Sequence, residues 1–184
     1  MKRLTLILVV LLAGCGRVET GQWLATATIE RPTVNVPLVL RQANWLGSYH
    51  QGSCVHATMI SLFRWQCRLG MADHWRKAYG DGEDPSGLAA KFTHEGVRYA
   101  YVTDGDVHFL EWACRTRRGC GITVKGGAHM VALVHLDRKW AALLDNNDVS
   151  KFIWVPRETL IAEWKASYGW AVAPVYTPAA PLPQ

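Results

Sequence analysis

The chain has 184 residues, of which 49% are hydrophobic and 19% charged. That length suits one domain with short extensions, and the balance excludes a chain disordered throughout. The formal net charge is +5, and Lys2 and Arg3 supply two of those charges from a segment expected to be removed. The densest basic cluster, Arg115, Arg117 and Arg118, reads as a solvated loop, so no nucleic-acid partner is expected. Nine Trp are expected mostly in the core or along a groove, because large aromatics dominate burial.

Lys2 and Arg3 form a positive leader, and the residues 4–13 that follow are apolar apart from Thr5. About twenty apolar residues are needed to cross a hydrocarbon core, whereas a run near ten is the length of a signal-peptide core. Leu12-Ala13-Gly14-Cys15 closes it and resembles the lipobox of bacterial lipoproteins. The resemblance implies cleavage after residue 14, acylation of Cys15, and a membrane-anchored protein of the cell envelope. Residues 15–33 read as a lipidated tether, and the Pro-rich tail 177–184 as a poorly ordered end. The folded domain is expected over 34–176.

Within it, Ser53-Cys54 opens a helix-compatible stretch through residue 69, and a short helix is expected near 72–79. Asp84-Pro85 is an N-cap with Pro at the first helical position, and Gly96 closes that helix. Residues 97–103 read as a strand and 107–115 as a helix. Strands are expected at 122–125, 130–136, 140–144 and 152–155, then a helix at 156–167 and a last strand at 169–175. Helices come first and an antiparallel sheet second, which is an α+β order.

Cys114 and Cys120 flank a Gly-containing loop. In an exported protein they are either a disulfide or two free thiols. Cys67 reads as a buried small hydrophobe on the first helix. A zinc set of Cys114, Cys120, His129 and His135 is disfavoured, since no pair has Cys-x-x-Cys spacing. No metal or organic cofactor is expected.

Cys54 lies in Gln51-Gly52-Ser53-Cys54-Val55-His56. A Cys at a helix N-terminus meets unpaired backbone N–H groups and the positive end of the dipole, which favour the nucleophilic thiolate. His56, two residues on, points away from it and reads as structural. Further along, Gly126-Gly127-Ala128-His129 leads into a strand that turns at Asp137-Arg138-Lys139 and returns. In such a hairpin, residues whose numbers sum to about 276 lie opposite each other. His129 then meets the region of 145–147. A carboxylate or amide there can accept one imidazole N–H, leaving the other ring nitrogen to take a proton from a thiol. Asp145 and Asn146 point to opposite faces, so only one can serve. Asp145 is preferred.

These windows, Gly52-Ser53-Cys54 before a helix, Ala128-His129 on a strand and Asp145-Asn146 at the end of the next, resemble the papain-like cysteine peptidases. The compact bacteriocin-processing type, the double-glycine leader peptidases, is the nearest likeness. The intervals are 75 positions from Cys54 to His129 and 16 from His129 to Asp145, and papain itself needs a longer first interval. The resemblance spans about 36–174. It implies a papain-like fold, a Cys54–His129–Asp145 triad, and cleavage of peptide or isopeptide bonds in a peptide or protein substrate; separately, a monomer is expected. The family places an oxyanion-hole Gln about six residues before its Cys. Here Ser48 holds that position. Gln51, beside the nucleophile, is the preferred substitute. Gln42 is the alternative, because it follows Val36-Pro37-Leu38-Val39-Leu40, which is similar to the family's first strand. Two other outcomes fit the same residues: a silent papain-like lipoprotein that binds peptides or partner proteins, and a cell-wall amidase or transglutaminase-type acyl transferase.

Overall fold

The computed structural model describes residues 31–176. Cys15, the leader and the tail lie outside them, as does all but the last part of the tether. The element order is α1 (Cys54–Trp65), α2 (Leu69–Ala78), α3 (Pro85–His94), β1 (Tyr99–Val102), α4 (Val107–Arg115), β2 (Cys120–Val124), β3 (His129–Leu136), β4 (Trp140–Leu144), β5 (Ile153–Pro156), α5 (Arg157–Ala166) and β6 (Ala171–Pro174). Among the described residues no helix is long and apolar enough to cross a membrane.

The six strands form one antiparallel sheet in the order β1-β6-β2-β3-β4-β5. Its two faces follow from the period-2 alternation of strand side chains. Met130, Ala132, Val134, Ala142 and Leu144 face a core shared with α1, α2 and α3, centred on Phe63, Trp75 and Phe92. Val131, Leu133, Ala141 and Leu143 face a second core, closed by Leu110 and Ala113 of α4 and Leu160 and Trp164 of α5. The α+β order therefore resolves into a sheet covered on both sides, with the N-terminal helices on the face that matters below. Helix α1 lies close against the sheet because Gly121 has no side chain. A Cβ there would come within 2.8 Å of Met59 Cε and Met130 Sδ.

The first helix is shorter than expected. It ends at Trp65, and Cys67 takes a left-handed conformation with φ +60°. Two backbone bonds close the turn, Arg68 N–H to Phe63 C=O at 2.8 Å and Cys67 N–H to Arg64 C=O at 3.0 Å. This is the reversal that normally employs Gly. Cys67 is consequently exposed and in a turn, not buried on a helix, and α2 starts three residues before the expected 72. A second correction concerns 36–40. Only Leu38–Leu40 is regular there, and it is a single 3-10 turn rather than a strand, closed by Arg41 N–H to Leu38 C=O.

Other boundaries move by at most two residues, and those of α4 and β4 fall where expected. Asp84 caps α3 as the sequence implies, accepting from Gly87 N–H at 2.8 Å with Pro85 at the first helical position. Cys114 and Cys120 are both free thiols. Burial pushes the Cys114 thiol up to about 12 and that of Cys120 up as well, with the nearby Cys114 adding to the second shift.

Candidate active site

Cys54 is the first residue of α1, which runs into the core with nine buried residues. Ser53 before it is fully buried. Its hydroxyl donates to Asn44 Oδ1 at 2.8 Å, and its backbone N–H donates to Trp45 C=O at 3.0 Å. The loop ahead of the helix is thus pinned from both its backbone and its side chain. The N–H groups of the first helical turn have no partner within the helix, and Cys54 and Val55 of that turn line the cleft.

The β3–β4 hairpin delivers the second group. Leu133 pairs with Leu143 and Ala132 with Leu144, which is the expected sum of 276, with an irregularity only between Leu133 and His135 nearer the turn. Carried to the open end of the hairpin, this register brings His129 beside the residues that follow β4. His129 Nε2–H donates to Asp145 Oδ1 at 2.8 Å. Asp145 in turn accepts from Asn147 N–H at 2.9 Å. Ring nitrogen Nδ1 is left for Cys54, and the thiol and imidazole lie close enough for each to shift the other's titration.

The electrostatics of the pair run in opposite directions. Burial alone would raise the Cys54 thiol. Hydrogen bonds from the His129 ring and from the Met130 and Val55 backbone, with the imidazolium charge, outweigh it, and the net shift is downward from 9.0. The imidazole of His129 is shifted up from 6.5, first by its bond to Cys54 and then by Asp145, against a burial effect of opposite sign. Burial would raise Asp145, but the Asn147 N–H and the His129 ring hold it below 3.8. Both shifts favour movement of the proton from sulfur to ring, the direction that raises the nucleophilicity of a Cys.

Asn146 takes a different part from its neighbour. Its side chain points to the α1 face, as strand alternation demands, and is only 3% exposed. Nδ2 lies 2.8 Å from Met130 C=O, 3.1 Å from Cys54 C=O and 3.1 Å from Thr58 Oγ1. One amide thus ties the first turn of α1 to the start of β3, the two elements that carry the thiol and the imidazole. Asn146→Ala would leave these buried carbonyls without that donor. We expect a loss of about 1–3 kcal/mol in urea unfolding, together with slower alkylation of Cys54 as the two elements separate.

Around these groups lies a cleft of about 300 Å³ lined by Cys54, His129, Asn44, Glu83, Trp170 and backbone from several small residues. Gly127, on its wall, has φ +85°, and a Cβ there would sit 2.6 Å from the ring of Tyr168. Only glycine satisfies both constraints, so the chain before His129 passes close under an aromatic ring.

The proposed oxyanion donors sit elsewhere. Gln51 is exposed, and its side-chain oxygen accepts from Gly82 N–H at 3.1 Å. The side chain of Gln42 donates to Ala43 C=O at 2.9 Å. The amide that does line the cleft belongs to Asn44, a residue that no motif spacing singled out. His56 is buried, accepts from Trp75 Nε1–H at 3.1 Å, and is held neutral down to about pH 4, chiefly by burial and then by Lys91. It is a core residue under the cleft. Among the described residues no group of three or more His, Cys, Asp or Glu is arranged to hold a metal ion.

No family model matches the sequence, and no curated protein does. A solved structure does match in three dimensions. It is the crystal structure of a double glycine motif protease from an AMS/PCAT transporter in complex with the leader peptide, with TM-score 0.50 and 15% identity, covering 80% of this chain and 96% of that one.

The fold is papain-like.

In this papain-like frame the helix that begins at Cys54 and the strand that begins at His129 are the central pair of elements, and the cleft opens where they meet.

Proposed function

We propose that this chain is a lipid-anchored thiol hydrolase that cleaves peptide or isopeptide bonds with Cys54 as nucleophile, His129 as base and Asp145 as the residue that orients the ring. The observation that carries this reading is the 2.8 Å hydrogen bond between Asp145 and His129 with the Cys54 thiol close enough to the same ring to shift both groups, all beside one cleft. The sulfur electron pair would form a bond to the substrate carbonyl carbon while the carbonyl π pair moves to oxygen. On collapse, the C–N bond breaks and the amine leaves with the proton held by His129. Water, deprotonated by His129, then hydrolyses the thioester and returns the enzyme.

A peptide substrate is supported by the cleft itself, whose walls beside Cys54 include the backbone of Gly52, Gly82, Gly127 and Ala128. The double glycine motif protease of like fold is in complex with a leader peptide. The envelope location and the membrane anchor rest on residues 2–15, with Cys15 as the acylated residue, and the protein is proposed to act as a monomer.

The test offers full-length protein in detergent a mixed peptide pool and follows new termini by mass spectrometry. We expect cleavage that disappears after treatment with iodoacetamide. Release of peptides from purified peptidoglycan, or incorporation of a primary amine, would redirect the reading to a cell-wall amidase or an acyl transferase. Neither cleavage nor alkylation of Cys54 at neutral pH would leave a silent peptide-binding lipoprotein.

A further inference from the structure

The cleft contains one amide whose orientation is settled by its neighbours. Asn44 Oδ1 accepts two hydrogen bonds, from the Ser53 hydroxyl at 2.8 Å and from Trp45 N–H at 2.9 Å. The backbone N–H of Trp45 can only donate, so the atom it meets must be the amide oxygen, and the Ser53 hydroxyl, which shares that N–H at 2.9 Å, then gives its own proton to the same oxygen. The oxygen end is therefore fixed toward the loop, and the NH₂ end must face the other way. One of its protons goes to Asn147 Oδ1 at 3.2 Å. The amide nitrogen lies 3.6 Å from the point where a Cβ on Gly52 would be, on the cleft wall it shares with Cys54 and His129. The second proton has no protein partner among the described residues, which leaves it available to a group bound in that cleft.

We propose that Asn44 is a catalytic residue that donates to the oxyanion of the tetrahedral intermediate, alongside the backbone N–H of Cys54, in the place that Gln51 or Gln42 was expected to fill. The proposal rests on the thiol-hydrolase reading above and deepens it. Such a donor acts when negative charge develops on the carbonyl oxygen, so it accelerates acylation and has no part in simple alkylation of sulfur. Its preorganisation is built in. Ser53, fully buried at the foot of α1, holds the amide at one end. Asn147, which also approaches His129 Nε2 at 3.4 Å, holds it at the other. Nucleophile, base and donor are thereby fastened to one another by side chains rather than by loop backbone alone.

The test uses two reactions of the full-length protein. Acylation by N-acetylglycine p-nitrophenyl ester passes through a tetrahedral oxyanion. The sulfur attacks the ester carbon, the carbonyl pair moves to oxygen, and collapse expels p-nitrophenolate and leaves a thioester. Alkylation by iodoacetamide forms a C–S bond and expels iodide with no oxyanion. Each is measured across pH, so that plateau rates are compared for fully formed thiolate. For Asn44→Ala, and for Asn44→Asp, which keeps the acceptor for Ser53 and Trp45 but removes the NH₂, the acylation plateau is expected to fall by about 10²-fold. The alkylation plateau should stay unchanged in both. Equal losses in the two reactions would make Asn44 a support for the loop and overturn the proposal. An unchanged acylation rate, or a loss found instead in Gln51→Ala, would overturn it too. A wild-type protein that is neither acylated by the ester nor alkylated at Cys54 at neutral pH would remove the hydrolase reading itself, and this assignment with it.

Discussion

Cys54→Ala is expected to abolish turnover, lowering kcat/KM by about 10⁴-fold or more, while the protein keeps its fold. Cys54 is only partly buried, and its side chain is not one of the fully buried packing residues. Its carbonyl remains available to Asn146 in the variant, and α1 remains anchored by Met59, Ile60, Leu62 and Phe63 in the core. Circular dichroism and thermal unfolding should therefore overlay those of the wild type, with binding of peptide retained. Residual cleavage above about a hundredth of the wild-type rate, in protein free of contaminating activity, would show that the reaction does not pass through this sulfur.

His129→Ala carries the second large effect, and it is read best against pH. In the wild type the thiol is shifted down and the imidazole up, so thiolate accumulates below pH 9.0 and imidazolium persists above pH 6.5. kcat/KM should rise on the acid side as the pair loses its first proton. It should fall on the alkaline side as the ring loses the proton needed by the leaving amine. The two limbs belong to the pair rather than to either residue. Without the ring, burial of Cys54 is opposed only by the Met130 and Val55 backbone, and the thiolate is pushed toward or above pH 9.0. Alkylation by iodoacetamide at pH 7 should then slow by about tenfold for each unit of that rise, and peptide turnover should fall by about 10⁴-fold. An alkylation profile that did not move in His129→Ala would separate the thiol from the imidazole.

Much of the candidate site was legible because it depends on counting. The Asp137-Arg138-Lys139 turn sets the hairpin sum, and strand alternation then separates Asp145 from Asn146. The hydrogen bond to His129 falls on Asp145, the residue preferred from spacing. The place of Cys54 at a helix start was readable from Gly52-Ser53 and the apolar run behind it. The features missed are those with no local code. Cys67 reverses the chain in a conformation that sequence patterns assign to Gly. The two bonds that close the turn reach back to Phe63 and Arg64 rather than to any capping residue. Asn44 is ten positions before Cys54, and Ser53 and Asn147 hold it at the cleft. The expectation for Gln51 followed proximity along the chain, whereas its side chain is taken up by Gly82. For Asn146 the sequence showed the face and not the partners, since Thr58 and Met130 meet it only after α1 is laid on the sheet.

The strand order has a bearing on how such a protein comes to exist. β6, the last strand among the described residues, lies between β1 and β2 and bonds to both. Until residues near 171–174 are in place, β1 has no partner strand and β2 keeps an open edge, so β1 stands apart from the four strands β2 to β5. Completion by the final strand is a long-range event of the slow kind. β1 joins the sheet only after a segment about seventy residues further along has come to lie beside it.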